Sequence, residues 1–356
     1  MNRPEPKTIR VLVVEDSRVV SEFITQVLNA DPDLEVVGTA ANGREALEAV
    51  QRFKPHVITM DIHMPHVDGF EATRNIMESC PTPIVIIGGN STKENVSTNF
   101  HALEAGALAV VALPQGSGHI EHECSAKQLV DTVKLMSEVK VVRRWLRPKP
   151  SSAPGNFSTQ SLPPPPKLPI EVVAIGASTG GPLALQTILT SLPKDFRVPV
   201  LVVQHMTPGF THGFVEWLSR SSGLPVRVAA DGEPLLPGRV YIAPDNFQMG
   251  VSKDHRIVLT KDARENGMCP AVSFLFRSIK AVFGRQTVGV LLTGMGVDGV
   301  TELKELRNAG AITLAQDKES SVVHGMPGQA IMDGAATYIL PPQGIAKALK
   351  TLVATP

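Results

Sequence analysis

Cysteine is scarce in this sequence, since its 356 residues include only Cys80, Cys124 and Cys269. These cysteines are odd in number and far apart, so neither a disulfide framework nor a paired zinc-ligand pattern fits them. Their scarcity predicts a reducing compartment, and we therefore expect a cytoplasmic protein.

Long hydrophobic runs and an excess of one charge are also absent. No apolar run is long enough to cross a bilayer, and the first seven residues contain two prolines but no apolar core, unlike a signal peptide. The 34 basic residues balance 34 acidic ones. We therefore expect no membrane insertion and no nucleic-acid partner.

The sequence does contain two regions in which short apolar runs alternate with amphipathic ones. Strands that are apolar throughout and separated by helices indicate a parallel sheet covered on both faces. In the first region we predict strands over residues 9–14, 36–39, 57–60, 84–87 and 108–113, and helices over 17–29, 43–52, 93–105 and 125 to about 139.

A proline-rich stretch separates the two regions. Residues 147–169 are rich in Pro and Ser, with four consecutive prolines at 163–166, and cannot form a packed core. We predict a first domain over residues 1–140, a semi-rigid linker over 141–169 and a second domain over 170–356.

The second region predicts a doubly wound, mostly parallel α/β domain. Its predicted strands cover residues 171–175, 198–203, 287–292 and 311–315, and its helices cover 182–192, 211–219, 271–281 and 298–308. Residues 226–260 are richer in β-branched residues and contain turn signals at Asp231-Gly232 and Pro237-Gly238. They predict β-hairpins added to the main sheet.

Three acidic residues follow strands of the first predicted sheet. Glu15 and Asp16 come directly after the first strand and Asp61 after the third, so all three are expected at the carboxyl edge. Clustered carboxylates suit Mg²⁺, and a carboxylate beside Mg²⁺ can accept a phosphoryl group. The alternative is that these acids only cap helices, as Asp16 could do. The three together favour the metal site.

The second region contains a candidate nucleophile. Ser178 lies in Gly-Ala-Ser-Thr-Gly-Gly, a tight turn from a strand into a helix, where a serine is exposed to substrate. The alternatives are a phosphate-binding turn or a plain helix cap. A serine nucleophile needs a base and an orienting acid, and His205 and Asp298 also follow predicted strands. The glycines around Met295 leave backbone amides that could stabilise an oxyanion.

Another histidine competes for the role of base. Ser178, Asp298 and His324 follow the chain order of α/β-hydrolases. His212 and His255 are weaker candidates. From its position after a strand we prefer His205.

The first region resembles the receiver domain of two-component response regulators over roughly residues 8–139. The strings VVEDS (13–17) and MDIHMP (60–65), followed by Asp68-Gly69, carry the resemblance. It implies a flavodoxin-like (βα)5 fold, an upstream histidine kinase as partner and Asp61 as phospho-acceptor. It also implies Mg²⁺ held by Glu15, Asp16 and Asp61, with the backbone carbonyl of His63 as a further ligand.

Two positions depart from the receiver pattern. Gly88-Gly89 stands where that family usually has Ser or Thr, and Leu113 stands where it usually has Lys before the proline. Ser91 or Thr92 could replace the hydroxyl, but nothing nearby replaces the lysine. We therefore expect a weakened switch.

The second region resembles the catalytic domain of CheB, the chemotaxis protein-glutamate methylesterase, over roughly residues 170–349. The resemblance rests on VAIGASTGG (173–181), QHM (204–206), YIAP (241–244), LTGMG (292–296) and GMP (325–327). It implies Ser178 as nucleophile, His205 as base, Asp298 as orienting acid and the Met295 amide as oxyanion donor. The substrates implied are glutamate γ-methyl esters, and also glutamines, of methyl-accepting chemotaxis receptors, with no cofactor for the hydrolase.

Departures from the CheB pattern concern substrate fine specificity. The family commonly has an Arg-Pro pair followed three residues later by Asp, where this chain has Cys269-Pro270 and Ser273, and it commonly has an aromatic where this chain has His324. Three alternative functions stay open: a methylesterase of a pathway other than motility, a serine hydrolase of small esters, and a non-catalytic scaffold.

Overall fold

The computed structural model describes residues 8–88, 100–116, 118–119, 122–141 and 168–353. They form two compact units, divided within the proline-rich stretch. Most of the predicted linker lies outside the described residues, so its extended character stays a prediction. Among the described residues, no helix combines the length and the hydrophobicity that a bilayer crossing requires.

The first unit is built on a five-stranded parallel sheet, ordered β2-β1-β3-β4-β5. Its strands are β1 (Ile9–Val14), β2 (Leu34–Ala40), β3 (Val57–Met60), β4 (Ile84–Gly88) and β5 (Ala109–Ala112). Its helices are α1 (Arg18–Asn29), α2 (Gly43–Phe53), α3 (Gly69–Ser79), α4 (which includes residues 100–105) and α5 (His122–Ser137). The predicted (βα)5 fold is confirmed, although the predicted start of α4 lies outside the described residues.

Local caps fix the segments that follow β1 and β3. The Ser17 hydroxyl accepts a hydrogen bond from the Val20 amide at the start of α1, and the Asp68 carboxylate accepts one from the Glu71 amide at the start of α3. Every residue of β3 and β4 is buried, as expected for strands covered on both faces. The carboxyl edge of this sheet is therefore held by short capped loops.

The second unit is built on a seven-stranded parallel sheet, ordered β14-β13-β12-β6-β7-β9-β8. These strands are β6 (Val172–Ala177), β7 (Val200–Gln204), β8 (Val226–Val228), β9 (Val240–Ile242), β12 (Thr287–Leu291), β13 (Ile312–Gln316) and β14 (Tyr338–Leu340). The helices are α6 (Gly181–Ser191), α7 (Thr211–Ser222), α8 (Val272–Phe283), α9 (Val300–Asn308), α10 (Met326–Met332) and α11 (Pro342–Val353). The predicted doubly wound α/β class is confirmed.

The predicted hairpin region contains one hairpin. Strands β10 (Gln248–Val251) and β11 (Ile257–Thr260) pair antiparallel in a separate two-stranded sheet. The prediction of hairpins across the whole region was wrong for β8 and β9, which pair parallel and extend the main sheet. The turn signals Asp231-Gly232 and Pro237-Gly238 lie in the connection between those two strands. Such signals mark a change of direction and do not determine which strand a segment pairs with.

Helix α8 is packed between the main sheet and the hairpin. Its Leu275 and Phe276 belong to one buried cluster with Val172 of β6 and with Met249 and Ile257 of the hairpin. Apolar contact on opposite sides fixes the helix laterally, so its N-terminus is held at a defined place near the carboxyl edge of the main sheet.

Candidate active site

The register of two neighbouring strands brings Ser178 and His205 side by side. Ala177 at the end of β6 is paired with Gln204 at the end of β7, and Ser178 and His205 are the next residues along each strand. The His205 amide donates a hydrogen bond of 2.8 Å to the Ala177 carbonyl, which extends the pairing into the site. Paired strands lie about 4.8 Å apart, so the two side chains start from adjacent backbone positions.

Gln204 ties the two turns together. Its side-chain Nε2 donates hydrogen bonds of 2.8 Å to the carbonyls of both Ser178 and His205. The Ser178 amide donates a 3.0 Å bond to the Thr293 carbonyl, and the Gly181 amide donates a 2.8 Å bond back to Ser178. Gln204 carried part of the resemblance, in QHM, but its role in joining the turns was not predicted; a polar residue that ends an apolar strand was a signal that could have found it.

Asp298 binds the histidine at the carboxyl edge of the sheet. His205 Nε2 lies 2.9 Å from Asp298 Oδ2, and the two side chains are only 9% and 4% exposed. Asp298 Oδ2 also accepts a 2.7 Å bond from the Val272 amide, and Oδ1 accepts a 3.1 Å bond from the Ser273 amide. The carboxylate thus caps the N-terminus of α8 from a distant segment.

The Asp298 carboxylate is stabilised in its charged form. Burial by itself raises the pKa of Asp298, but the hydrogen bond and charge of His205 and the bonds from Ser273 and Val272 outweigh it, and the pKa lies below its ordinary value. An ionised Asp298 that accepts from Nε2 keeps the proton of the neutral imidazole on that nitrogen.

The other ring nitrogen of His205 is not engaged by the Asp298 carboxylate. Nδ1 is buried and has no hydrogen-bond partner among the described residues. When Nε2 of the neutral ring donates to Asp298, Nδ1 carries the lone pair, and His205 directly follows the strand paired with that of Ser178. A buried acceptor without a donor costs about 1–3 kcal/mol in an ordinary core, and a hydrogen bond from a hydroxyl group entering the site would remove that cost.

The competing histidine lies close to the site but is bonded differently. The backbone of His324 forms an isolated parallel β-bridge with Gly294, and its Nδ1 lies 3.3 Å from the Ser321 hydroxyl. Burial, followed by the charge of Lys318, lowers the pKa of His324. Among the described residues, the His324 ring makes no hydrogen bond to Asp298. His212 is an exposed residue of α7, and His255 lies in the exposed turn between β10 and β11.

The loop after β12 offers an unpaired amide next to Ser178. The Gly294 amide donates to the Val323 carbonyl at 3.0 Å, and the Gly294 carbonyl accepts from the Met326 amide at 2.9 Å, so the loop is fixed. A Cβ added at Gly294 would lie 2.6 Å from the Ser178 Cβ, which shows how closely the loop approaches the serine. Within the described ranges, the Met295 amide has no acceptor.

The three receiver acids meet at one edge, as predicted. Carboxylate oxygens of Glu15, Asp16 and Asp61 lie within 4.8 Å of one another. Burial, together with the charge of Asp61, raises the pKa of Glu15 to about 7, and burial also raises the pKa of Asp61. A divalent cation would offset the repulsion between these carboxylates, and carboxylate oxygens are the ligands that Mg²⁺ prefers. The His63 carbonyl accepts no hydrogen bond from the described residues, so it is available as a ligand.

The two unusual receiver positions, Gly88 and Leu113, are hydrogen-bonded to each other through their backbones. Gly88 ends β4, and the Leu113 amide donates a 3.0 Å bond to its carbonyl. Neither side chain can bind a phosphoryl group. Ser91 and Thr92, the possible replacements, lie outside the described residues.

Known proteins resemble both units. Residues 173–349 match the CheB methylesterase family, and residues 11–123 match the response regulator receiver domain. A curated relative from Nitrosospira multiformis, named protein-glutamate methylesterase/protein-glutamine glutaminase, is 56% identical over 350 residues, which cover 97% of each chain. A relative of the same activity from Geobacter metallireducens is 54% identical over 97% of this chain and 99% of its own.

A solved structure also resembles the second unit. It is the CheB methylesterase catalytic domain of Thermotoga maritima, which is 40% identical with a TM-score of 0.50 and covers 51% of this chain and 98% of that one.

Proposed function

Because this chain belongs to the CheB methylesterase family and carries a response regulator receiver domain, we propose that it hydrolyses glutamate γ-methyl esters on methyl-accepting chemotaxis receptors. The observation that carries this proposal is the buried His205–Asp298 pair. His205 follows the strand next to that of Ser178, and its Nδ1 has no partner among the described residues. The names of the relatives extend the proposal to deamidation of receptor glutamines, which uses the same acyl chemistry.

In the proposed reaction, Ser178 Oγ attacks the ester carbonyl while its proton passes to Nδ1 of His205. Asp298 stabilises the imidazolium that forms, and the Met295 amide donates a hydrogen bond to the oxyanion. Methanol leaves with the proton from His205, and a glutamyl ester of Ser178 remains. His205 then takes a proton from the water that attacks this ester, and it returns that proton to Ser178 Oγ as the intermediate collapses, which releases the glutamate carboxyl group and regenerates Ser178 and neutral His205.

The receiver would regulate this hydrolysis. Asp61 would accept a phosphoryl group from an upstream histidine kinase. Glu15, Asp16 and Asp61, with the His63 carbonyl, would hold Mg²⁺, whose charge neutralises that of the transferring phosphoryl group. The pathway so regulated is chemosensory adaptation, whether its output is motility or another response.

Methanol release from membranes that carry a methylated chemoreceptor tests this function. We expect release by the wild-type protein and none by the Ser178→Ala variant. Hydrolysis of p-nitrophenyl acetate without methanol release would indicate a small-ester hydrolase. Failure on both substrates by a folded protein would leave the non-catalytic scaffold as the better explanation.

The receiver should respond weakly to phosphorylation. Leu113 cannot pair with the phosphoryl group and Gly88 cannot donate to it, so phosphorylation stabilises the active arrangement less than usual. We expect the Gly88→Ser/Leu113→Lys double variant to raise the ratio of activity with and without a small phosphodonor by about tenfold, as for one charge-assisted contact.

Occupancy of Asp61 must be measured by mass spectrometry in the same samples. Strong activation of the wild type at full occupancy, unchanged in the double variant, would show that Gly88 and Leu113 do not limit this receiver.

A further inference from the structure

A second group of charged residues, Glu265 and Arg277, is connected to the Asp298 carboxylate through Ser273. Glu265 Oε2 accepts a 2.9 Å hydrogen bond from the Ser273 hydroxyl, and Glu265 Oε1 forms an ion pair with Arg277. The Ser273 amide in turn donates to Asp298 Oδ1. Glu265 is therefore separated from the acid of the proposed triad by a single residue, Ser273.

Glu265 belongs to residues 261–271, which we call the 261–271 loop and which join β11 to α8. The loop is fixed by Gln248, which is fully buried. Its Nε2 donates to the carbonyls of Ala263 at 3.2 Å and Met268 at 3.3 Å, and its Oε1 accepts from the Ala271 amide at 2.8 Å. The loop also contains Asn266, whose Nδ2 lies 3.4 Å from Asp298 Oδ1.

The first turn of α8 depends on this arrangement. Ala271 precedes the helix and has no side chain that could cap it. The first two amides of the helix, those of Val272 and Ser273, donate to Asp298 instead. The place of the carboxylate and the place of the helix N-terminus are therefore set by each other.

Glu265 connects the loop to this turn at two points. Ser273 and Arg277 lie one helical turn apart on α8, and both bind the Glu265 carboxylate. Arg277 also lies 3.4 Å from Glu302 of α9. Without Glu265, the turn would lose these two side-chain contacts with the loop, and Arg277 would keep Glu302 of α9 and the ring of Phe274.

We propose that Glu265 is a positioning residue for the hydrolysis: through Ser273 and Arg277 it holds the first turn of α8 against Asp298, and so holds His205 in place. The inference rests on the proposed function, because it assumes that Asp298 and His205 act in hydrolysis. Among the described residues, the Glu265 side chain bonds to Ser273 and Arg277 and makes no bond to His205.

The test is the kinetics of Glu265→Ala on methylated receptor membranes and on p-nitrophenyl acetate. We expect kcat to fall roughly 10- to 100-fold with KM nearly unchanged, as for a small displacement of a catalytic group. Glu305→Ala is the matched control, because Glu305 joins α9 to Lys280 further along α8. It should cost similar stability in thermal unfolding and leave kcat unchanged.

Two further variants separate positioning from a general structural role. In an Asp298→Asn background, Glu265→Ala should lower the remaining activity less than twofold, because the residue through which it acts is already impaired. Glu265→Gln should keep most of the wild-type kcat, since its amide oxygen can still accept a hydrogen bond from Ser273 or Arg277 of α8.

Wild-type kcat in Glu265→Ala, or an equal loss in the Asp298→Asn background, would overturn the inference. Failure of the proposed function looks different. The wild type would then release no methanol, while the effect of Glu265→Ala would still be read from p-nitrophenyl acetate and from the rate at which a fluorophosphonate labels Ser178.

Discussion

Ester hydrolysis is expected to fall by roughly three to six orders of magnitude when either Ser178 or His205 is replaced by Ala, because members of a triad act as a unit. Ser178 supplies the attacking oxygen, and the unpaired Nδ1 of His205 is the buried lone pair available to receive its proton. Methanol release from methylated receptor membranes measures the loss, and circular dichroism shows whether each variant is folded.

His324→Ala is the control for this pair of variants. Its ring is bonded to Ser321 and is not held by an acid in the described part of the chain, so we expect less than about a tenfold loss. A loss as large as that of Ser178→Ala, with His205→Ala still active, would mean that the base was assigned to the wrong histidine.

The second large effect is expected from a single methyl group at Gly294. In Gly294→Ala the new Cβ would lie 2.5 Å from the Met326 sulfur and 2.6 Å from the Ser178 Cβ, well inside normal contact. The turn that carries Ser178 and the loop that carries Met295 must then move away from each other. Because a displacement of about 1 Å can cost about 100-fold, we expect kcat to fall at least that far.

Gly289→Ala is the matched control for crowding. Gly289 lies in β12, a few residues before Gly294, and its added Cβ would meet the Leu303 Cδ1 at 2.9 Å in the core. This variant should lower the melting temperature and keep most of the kcat of the wild type. A folded Gly294→Ala variant with wild-type kcat would show that the close approach of the loop to Ser178 is unimportant.

The sequence predicted which residues meet because strand ends share an edge in a parallel sheet. Ser178 and His205 directly follow adjacent strands, and Asp298 follows a third, so the general rule for such sheets was sufficient. The same rule placed Glu15 and Asp61 together in the first unit. These predictions needed only the order of apolar runs along the chain.

Other contributors could not be found in this way. Glu265 acts on α8 through contacts with Ser273 and Arg277, and Asn266 reaches Asp298 across 32 residues of sequence. Such contacts depend on how the 261–271 loop folds back, which no periodicity records. The pairing of β8 with β9 was missed for a related reason, since strands of three residues carry too little pattern to show their direction.

The pairing of Ala177 with Gln204 limits where this protein can gain or lose residues over evolutionary time. One residue inserted within β6 or β7 would shift Ser178 or His205 by about 3.3 Å and turn its side chain to the opposite face. Length changes in the connection between α6 and β7 leave that pairing intact. Descendants of this sequence should therefore differ in the length of that connection and agree, residue for residue, in the length of both strands.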